Sequence, residues 1–543
     1  MGSSAAATFA RLPELLASLV HYIQSSKHLG TLRLVSKNFH DAATPVLFSA
    51  AAPISSANYE AGALAGLTEL VKRNLVGYVR SLTLRHVDSQ WALAANSAIR
   101  ELLAEMPLLE SFDCSCPMLP ETISALHRSC PGLKALSFDF ERMEEDVLEL
   151  SNERPDDKVL RARELFTMPD LAIFSHLEKL SLLNVYGDLH QWRGQVARLL
   201  QKSPNLNSLA LSLSVDAIWR FSDDDSNQYR NWFESLCETY AEGGGSPLPI
   251  RSLHCGTAIF PPNSADLEQL LHLGHLEEVS VENEAIWVGN SGPRRIYIGG
   301  NEFSGEFDTF VNAPNLQRLS VRTYARNVHR AFCYMDDPSG ARQIALSTQT
   351  MNEGYEPAML LRPHDNSPAL PLHPRMLEIE LDQRYSSWLD GFGELLCDDE
   401  IPSADELLDS LVDGDEGILE GLVLCLPDAN YPDDDERPTL EKQYELLERT
   451  LPKLTNLTQL SIRGAGYAVD GYSGVAQRMA LAIPRLRFIN VRMGKHYKDG
   501  NFRRIVRGDQ GEVTLVTLEG RMENEAVELY RMSSYERMSV HGP

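Results

Sequence analysis

One spacing of residues recurs along most of this chain: apolar, two others, apolar, one other, apolar. Its copies are Val79-Leu82-Leu84, Leu109-Phe112-Cys114, Leu133-Leu136-Phe138, Leu177-Leu180-Leu182, Leu206-Leu209-Leu211, Ile250-Leu253-Cys255, Leu276-Val279-Val281 and Leu316-Leu319-Val321. Met376-Ile379-Leu381, Leu419-Leu422-Leu424, Leu457-Leu460-Ile462 and Leu486-Ile489-Val491 follow, and Val513-Val516-Leu518 would be the last. Each copy predicts a short strand whose alternate residues turn inward. Proline often stands just before the strand, as at Pro107, Pro131, Pro204, Pro314 and Pro484. Amphipathic helices are expected ahead of many of these prolines, over 99–106, 123–130, 192–202 and 474–483.

Helix, turn and strand repeat at about 24 to 30 residues where nothing intervenes. No such unit can bury its own apolar face, so neighbours must stack. The fold class expected is α/β, and the repeat resembles a degenerate leucine-rich repeat. That resemblance implies a solenoid over residues 51–530, with parallel strands on the concave side and helices outside. The usual Asn or Cys after the strand is mostly missing. The competing fold, a doubly wound α/β enzyme, needs long apolar strands and a ligand loop at a strand end; neither is evident.

Three stretches break the period. Residues 284–313 are rich in Gly and aromatics, including Trp287, Tyr297 and Phe303, and suggest a hairpin excursion. Residues 323–374 show little periodicity and are expected to be a long loop. Residues 398–436 are strongly acidic, partly an amphipathic helix at Leu407, Leu408 and Leu411, and suit either a solvated face or a basic client.

Ahead of the repeats, residues 12–48 predict three short helices. Pro13 and Glu14 suit a first turn. Leu15, Leu16, Leu19, Val20 and Ile23 recur at helical spacing. A second helix is expected to carry Leu29, Leu32, Leu34 and Val35. Ser36 can cap a third, bearing Phe39, Ala42, Ala43, Val46 and Leu47, with Pro45 disturbing its end. So small a module buries little surface by itself. It either offers apolar surface to a partner or caps the larger fold.

This segment resembles an F-box of the fungal type. The likeness rests on Leu12-Pro13, Glu14-Leu15-Leu16, the run from Leu32 to Phe39 (LRLVSKNF), and Ala43-Thr44-Pro45-Val46-Leu47-Phe48. The start is one residue tighter than the common LPPELL, and no Trp follows Lys37. The resemblance implies an F-box over residues 12–50, a Skp-type adaptor as partner and, through it, a cullin. The chain would then be the substrate-recognition subunit of a ubiquitin ligase, with the repeats binding a client protein. Adaptor contacts would fall to Leu12, Pro13, Leu15, Leu16, Leu32, Val35 and Phe39. The alternative is a leucine-rich-repeat interaction scaffold with no ligase role. Residues 1–11 are expected to be disordered and 531–543 a C-terminal tail.

A net charge of −26 argues against nucleic acid as the main partner, since a phosphate binder needs a basic face. Arg294-Arg295 and Arg503-Arg504 are expected to be solvated loop charges. No apolar run reaches the roughly 18 residues of a membrane span. The N-terminus lacks a basic, apolar leader, and Ala6 stands where myristoylation needs Ser or Thr. A cytoplasmic or nuclear protein is expected. The one close cysteine pair, Cys114 and Cys116, has no second ligand pair at metal spacing. No HExxH, GxSxG or GxxxxGK[ST] occurs, Gly464-Ala465-Gly466 lacks a third glycine at dinucleotide spacing, and Asp413-Gly414-Asp415-Glu416-Gly417 lacks the ligand pattern of an EF-hand. The chain is therefore read as non-catalytic, with no cofactor and no metal.

Overall fold

The computed structural model describes residues 13–23, 26–51, 75–84, 89–115, 118–140, 170–185, 188–213, 231–256, 259, 262–282, 318–322, 343–348, 376–380, 408–409, 411–412, 419–426, 440–464, 471–493, 503–508 and 512–518. They form two compact units that divide after His272.

The first unit begins with helices α1 (Pro13–His21), α2 (Ser26–Leu32) and α3 (Lys37–Leu47). Seven strands follow: β1 (Ala50–Ala51), β2 (Ser81–Leu84), β3 (Ser111–Cys114), β4 (Ala135–Asp139), β5 (Lys179–Val185), β6 (Ser208–Leu213) and β7 (Ser252–Cys255). Each pairs in parallel with its successor. Parallel neighbours need a crossover, and among the described residues helices stand in four of them: α4 (Ser89–Leu103) between β2 and β3, α5 (Pro120–Ser129) between β3 and β4, α6 (Leu189–Gln201) between β5 and β6, and α7 (Trp232–Glu242) between β6 and β7, with α8 (Ser264–Leu270) after β7.

The apolar spacing becomes packing through register. Leu82, Phe112, Leu136, Leu180, Leu209 and Leu253 lie side by side across the sheet, as do Leu84, Cys114, Phe138, Leu182, Leu211 and Cys255. All twelve are buried. In several copies the first apolar residue closes a tight turn instead: Leu109 N–H donates to Met106 O, Leu133 to Cys130 O, and Leu206 to Ser203 O, at 3.1–3.2 Å. Proline fits inside that turn because its fixed φ suits it and no donor is needed there. The residue before each strand then shares one carbonyl between two donors. Glu110 and Ser111 N–H bond to Arg80 O, Lys134 and Ala135 to Glu110 O, and Glu178 and Lys179 to Lys134 O.

Helices pack on their neighbours in sequence. Ile99, Leu103, Ile123, Leu126, Val196, Leu200, Phe233, Leu236 and Leu267 are all buried. Asp188 caps α6 by accepting from Gln191 N–H at 3.1 Å. Asn96, fully buried in α4, accepts from Leu119 N–H at 2.8 Å and so ties α4 to the start of α5.

The second unit repeats the scheme. Strands β8 (Glu278–Glu282), β9 (Arg318–Arg322), β10 (Gln343–Thr348), β11 (Met376–Glu380), β12 (Gly421–Leu426), β13 (Gln459–Gly464) and β14 (Phe488–Met493) pair in parallel, in order. Helices α9 (Leu440–Thr450) and α10 (Gly471–Ala482) precede β13 and β14. Two more strands, β15 (Arg503–Arg507) and β16 (Val513–Thr517), then run antiparallel.

Strand order equals chain order in each unit. A doubly wound sheet reverses its order at a switch point and binds its ligand there; neither unit has such a point among the described strands.

Several expectations need correction. The supposed loop 323–374 contains β10, whose Ile344 and Leu346 pair with Leu319 and Val321. The copy read as Met376-Ile379-Leu381 is two residues out of step, since Leu377 and Ile379 pair with Leu422 and Leu424. An alternating strand keeps its faces under a two-residue slip, so pattern alone cannot detect it. Val513-Val516-Leu518 is not a parallel copy, because residues 513–517 are the outer strand of a hairpin. Arg503 and Arg504 belong to a strand rather than a loop. Arg294-Arg295, Cys116, residues 1–11, 284–313 and 531–543, and most of 398–436 lie outside the described residues. Within the last stretch Leu408 and Leu411 are buried.

The face of the sheet between the leucine rows is also covered. Asp113, Ser137, Ser181, Ala210 and His254 form one row in register and are all buried. Ser181 Oγ and His254 Nδ1 find no hydrogen-bond partner among the described residues. Burial lowers the His254 pKa to about 3 and keeps the ring neutral.

Candidate docking surface

The N-terminal helices divide their apolar residues between two faces. In α1, Leu16 and Val20 are fully buried. Val20, Leu29 and Ala43 form a small core, with Ile23, Ala42, Val46 and Leu47 packed against it. Leu15, Leu19 and Tyr22 stand on the other side of α1 at i, i+4 and i+7, which is one helical stripe, and all three are exposed. Leu34 and Val35 are 87% and 62% exposed. Five large apolar side chains thus face solvent within residues 15–35.

The turn bearing Leu34 and Val35 is built, not loose. Leu34 N–H donates to Thr31 O and Val35 N–H to Leu32 O, both at 3.0 Å. Ser36 caps α3 through Oγ, which accepts from Phe39 N–H at 3.3 Å. Arg33 Nε donates to Thr44 Oγ1 at 3.0 Å, and its guanidinium lies 5.0 Å from the Phe48 ring centre. Thr44 passes the bond on to His40 O at 2.6 Å. Pro45 does not end α3: the helix runs to Leu47, and Phe48 N–H reaches Thr44 O at 3.1 Å. Leu34 and Val35 are not helical, contrary to expectation, because α2 stops at Leu32.

Of the seven residues expected at an adaptor contact, Leu15 and Val35 are exposed, Leu32 and Phe39 are half-buried, and Leu16 is buried. Pro13 opens α1. Leu12 lies outside the described residues. Sequence reasoning missed Leu19, Tyr22 and Leu34 as surface residues. The i+4 and i+7 spacing from Leu15 was the signal for the first two.

Among the described residues no three His, Cys, Asp or Glu side chains gather as a metal site. Cys114, Cys130, Cys237 and Cys255 are buried and form no disulfide, and burial pushes the Cys130 thiol up to about 11. No described helix is long and apolar enough to cross a membrane. No protein-family profile matches the chain, and no curated protein matches it either.

Proposed function

We propose that residues 12–50 act as an F-box that docks on a Skp-type adaptor, and that the strand-and-helix repeats after it form a leucine-rich-repeat solenoid that holds a client protein. On this reading the chain is the substrate receptor of a cullin-based ubiquitin ligase. The observation that carries it is the exposed stripe of Leu15, Leu19 and Tyr22, together with Leu34 and Val35, on a module with its own small core. Large apolar side chains held outward by an ordered turn favour a protein partner. The in-register leucine rows and the sequential parallel strands support the solenoid.

Catalysis would be positional. Holding a client lysine near a charged conjugating enzyme raises its effective concentration, and no side chain of this chain need react. The test is co-purification of the full chain with a Skp-type adaptor, beside the double variant Leu15→Asp/Val35→Asp. Association of wild type, lost in a variant with unchanged circular dichroism, is expected. Equal association of both would refute the docking surface. Client-dependent ubiquitin transfer by the assembled complex then separates a ligase receptor from a scaffold.

A further inference from the structure

The N-terminal module meets the repeats across two residues. Helix α3 ends at Leu47 and β1 begins at Ala50. Ser49, between them, is bonded on both sides. Its N–H and Oγ donate to Val46 O in α3, at 3.4 and 2.8 Å. Its carbonyl accepts from Arg80 N–H at 2.7 Å and Ser81 N–H at 2.9 Å, at the start of β2.

That carbonyl begins a relay across the first unit. Arg80 O accepts from Glu110 and Ser111 N–H, Glu110 O from Lys134 and Ala135, and Lys134 O from Glu178 and Lys179. Glu178 O then accepts from Asn207 and Ser208, and Asn207 O from Arg251 and Ser252, all at 2.7–3.3 Å. Ser49 therefore holds the place that the residue before the strand holds in each later repeat. Ala50 and Ala51 continue the pattern by pairing in register with Ser81 and Leu82. The near side of the joint reaches the exposed turn. Phe48 N–H donates to Thr44 O at 3.1 Å, and Arg33, just before Leu34 and Val35, touches both Thr44 and Phe48.

We propose that the module is the N-terminal cap of the first unit and unfolds together with β2 and β3, so that whatever binds its exposed face also stabilises those strands. Stacked repeats draw stability from their neighbours, and a terminal unit that closes the stack stabilises the one beside it. The module cannot swing away alone without leaving the Arg80 and Ser81 donors unpaired. A partner that binds only the folded state stabilises everything that folds with its site. The effect is reciprocal, so a client held by the repeats tightens docking on the module. That last consequence rests on the docking proposed above; the coupling itself does not.

The test is amide hydrogen exchange of the full chain, wild type beside Val20→Ala, which opens the module's core. Exchange at Arg80, Ser81, Glu110 and Ser111 is expected to quicken at least about tenfold, by the same factor as at His40 and Phe48 in the module. Inserting Gly-Ser-Gly-Ser between Phe48 and Ser49 should confine the effect of Val20→Ala to the module. Should Val20→Ala melt the module outright, the four repeat amides still decide. Their exchange at the wild-type rate in the Val20→Ala chain overturns the proposal, as does an effect that crosses the insertion undiminished. So does a Skp-type adaptor that binds yet leaves these four amides no better protected. An adaptor that fails to bind refutes the docking surface alone.

Discussion

Arg33 donates through Nε to Thr44 Oγ1 at 3.0 Å, and this one bond ties the exposed Leu34-Val35 turn to the third helix of the N-terminal module. The arginine head also lies over Phe48, so it holds the turn against the C-terminal end of α3. Arg33→Ala is expected to destabilise the module by about 1.5–3 kcal/mol, the range of a hydrogen bond to a charged group. On the proposed docking of this module to an adaptor, it should also weaken that association more than module stability alone requires, because the turn loses its anchor. Thermal circular dichroism of residues 1–50 in the full chain's context, compared with binding by titration, checks both.

Neighbouring leucines should behave oppositely. Leu16 is fully buried, so Leu16→Ala is expected to open a cavity and cost about 2–5 kcal/mol. Leu15→Ala, one residue earlier and exposed, should cost no more than about 0.5 kcal/mol, yet, on the proposed adaptor docking, reduce affinity for the adaptor. Limited proteolysis near residue 30 reports the first, and isothermal titration the second.

Asn96 is a structural link, not a surface polar residue. Asn96→Ala leaves the Leu119 N–H without its acceptor at the start of α5. The expected loss is about 1–3 kcal/mol, read as a lower urea midpoint with an unchanged slope.

Acid should destabilise the first unit through His254. The ring is neutral in the folded chain, its pKa lowered from 6.5 to about 3 by burial. Once unfolded it takes up a proton near the ordinary value. Between these two values the unfolded chain therefore binds more protons, so stability rises with pH and is lost as pH falls below about 6.5. The slope expected from this group approaches about 1.4 kcal/mol per pH unit. His254→Leu should flatten the dependence between pH 6.5 and 5. An equal slope in both proteins, measured by urea unfolding, would exclude the assignment.

Helix cores were legible from sequence, but their starts were not. The structure begins α5 at Pro120 rather than Ile123, α6 at Leu189 rather than Trp192, and α10 at Gly471 rather than Gly474. Apolar periodicity marks where a helix first touches its neighbours, whereas its first turn is placed by caps such as Asp188. β10 escaped notice because its alternation covers only Ile344 and Leu346, too short a run to stand out from a loop.

By itself, the sequence determined the repeating unit and its class: alternation at period two for strands, spacing near 3.6 for helices, and proline where the turn needs no donor. Those are local properties, set by side-chain size and backbone sterics within a few residues. Tertiary structure alone decided the rest. Register across the sheet fixed which residue of β11 faces Leu422, and turned β15 and β16 antiparallel. It also buried the polar row at Ser181 and His254, and sent Leu16 inward while Leu15 stayed out. Such outcomes depend on which surfaces meet, and surfaces are assembled from segments that lie far apart along the chain.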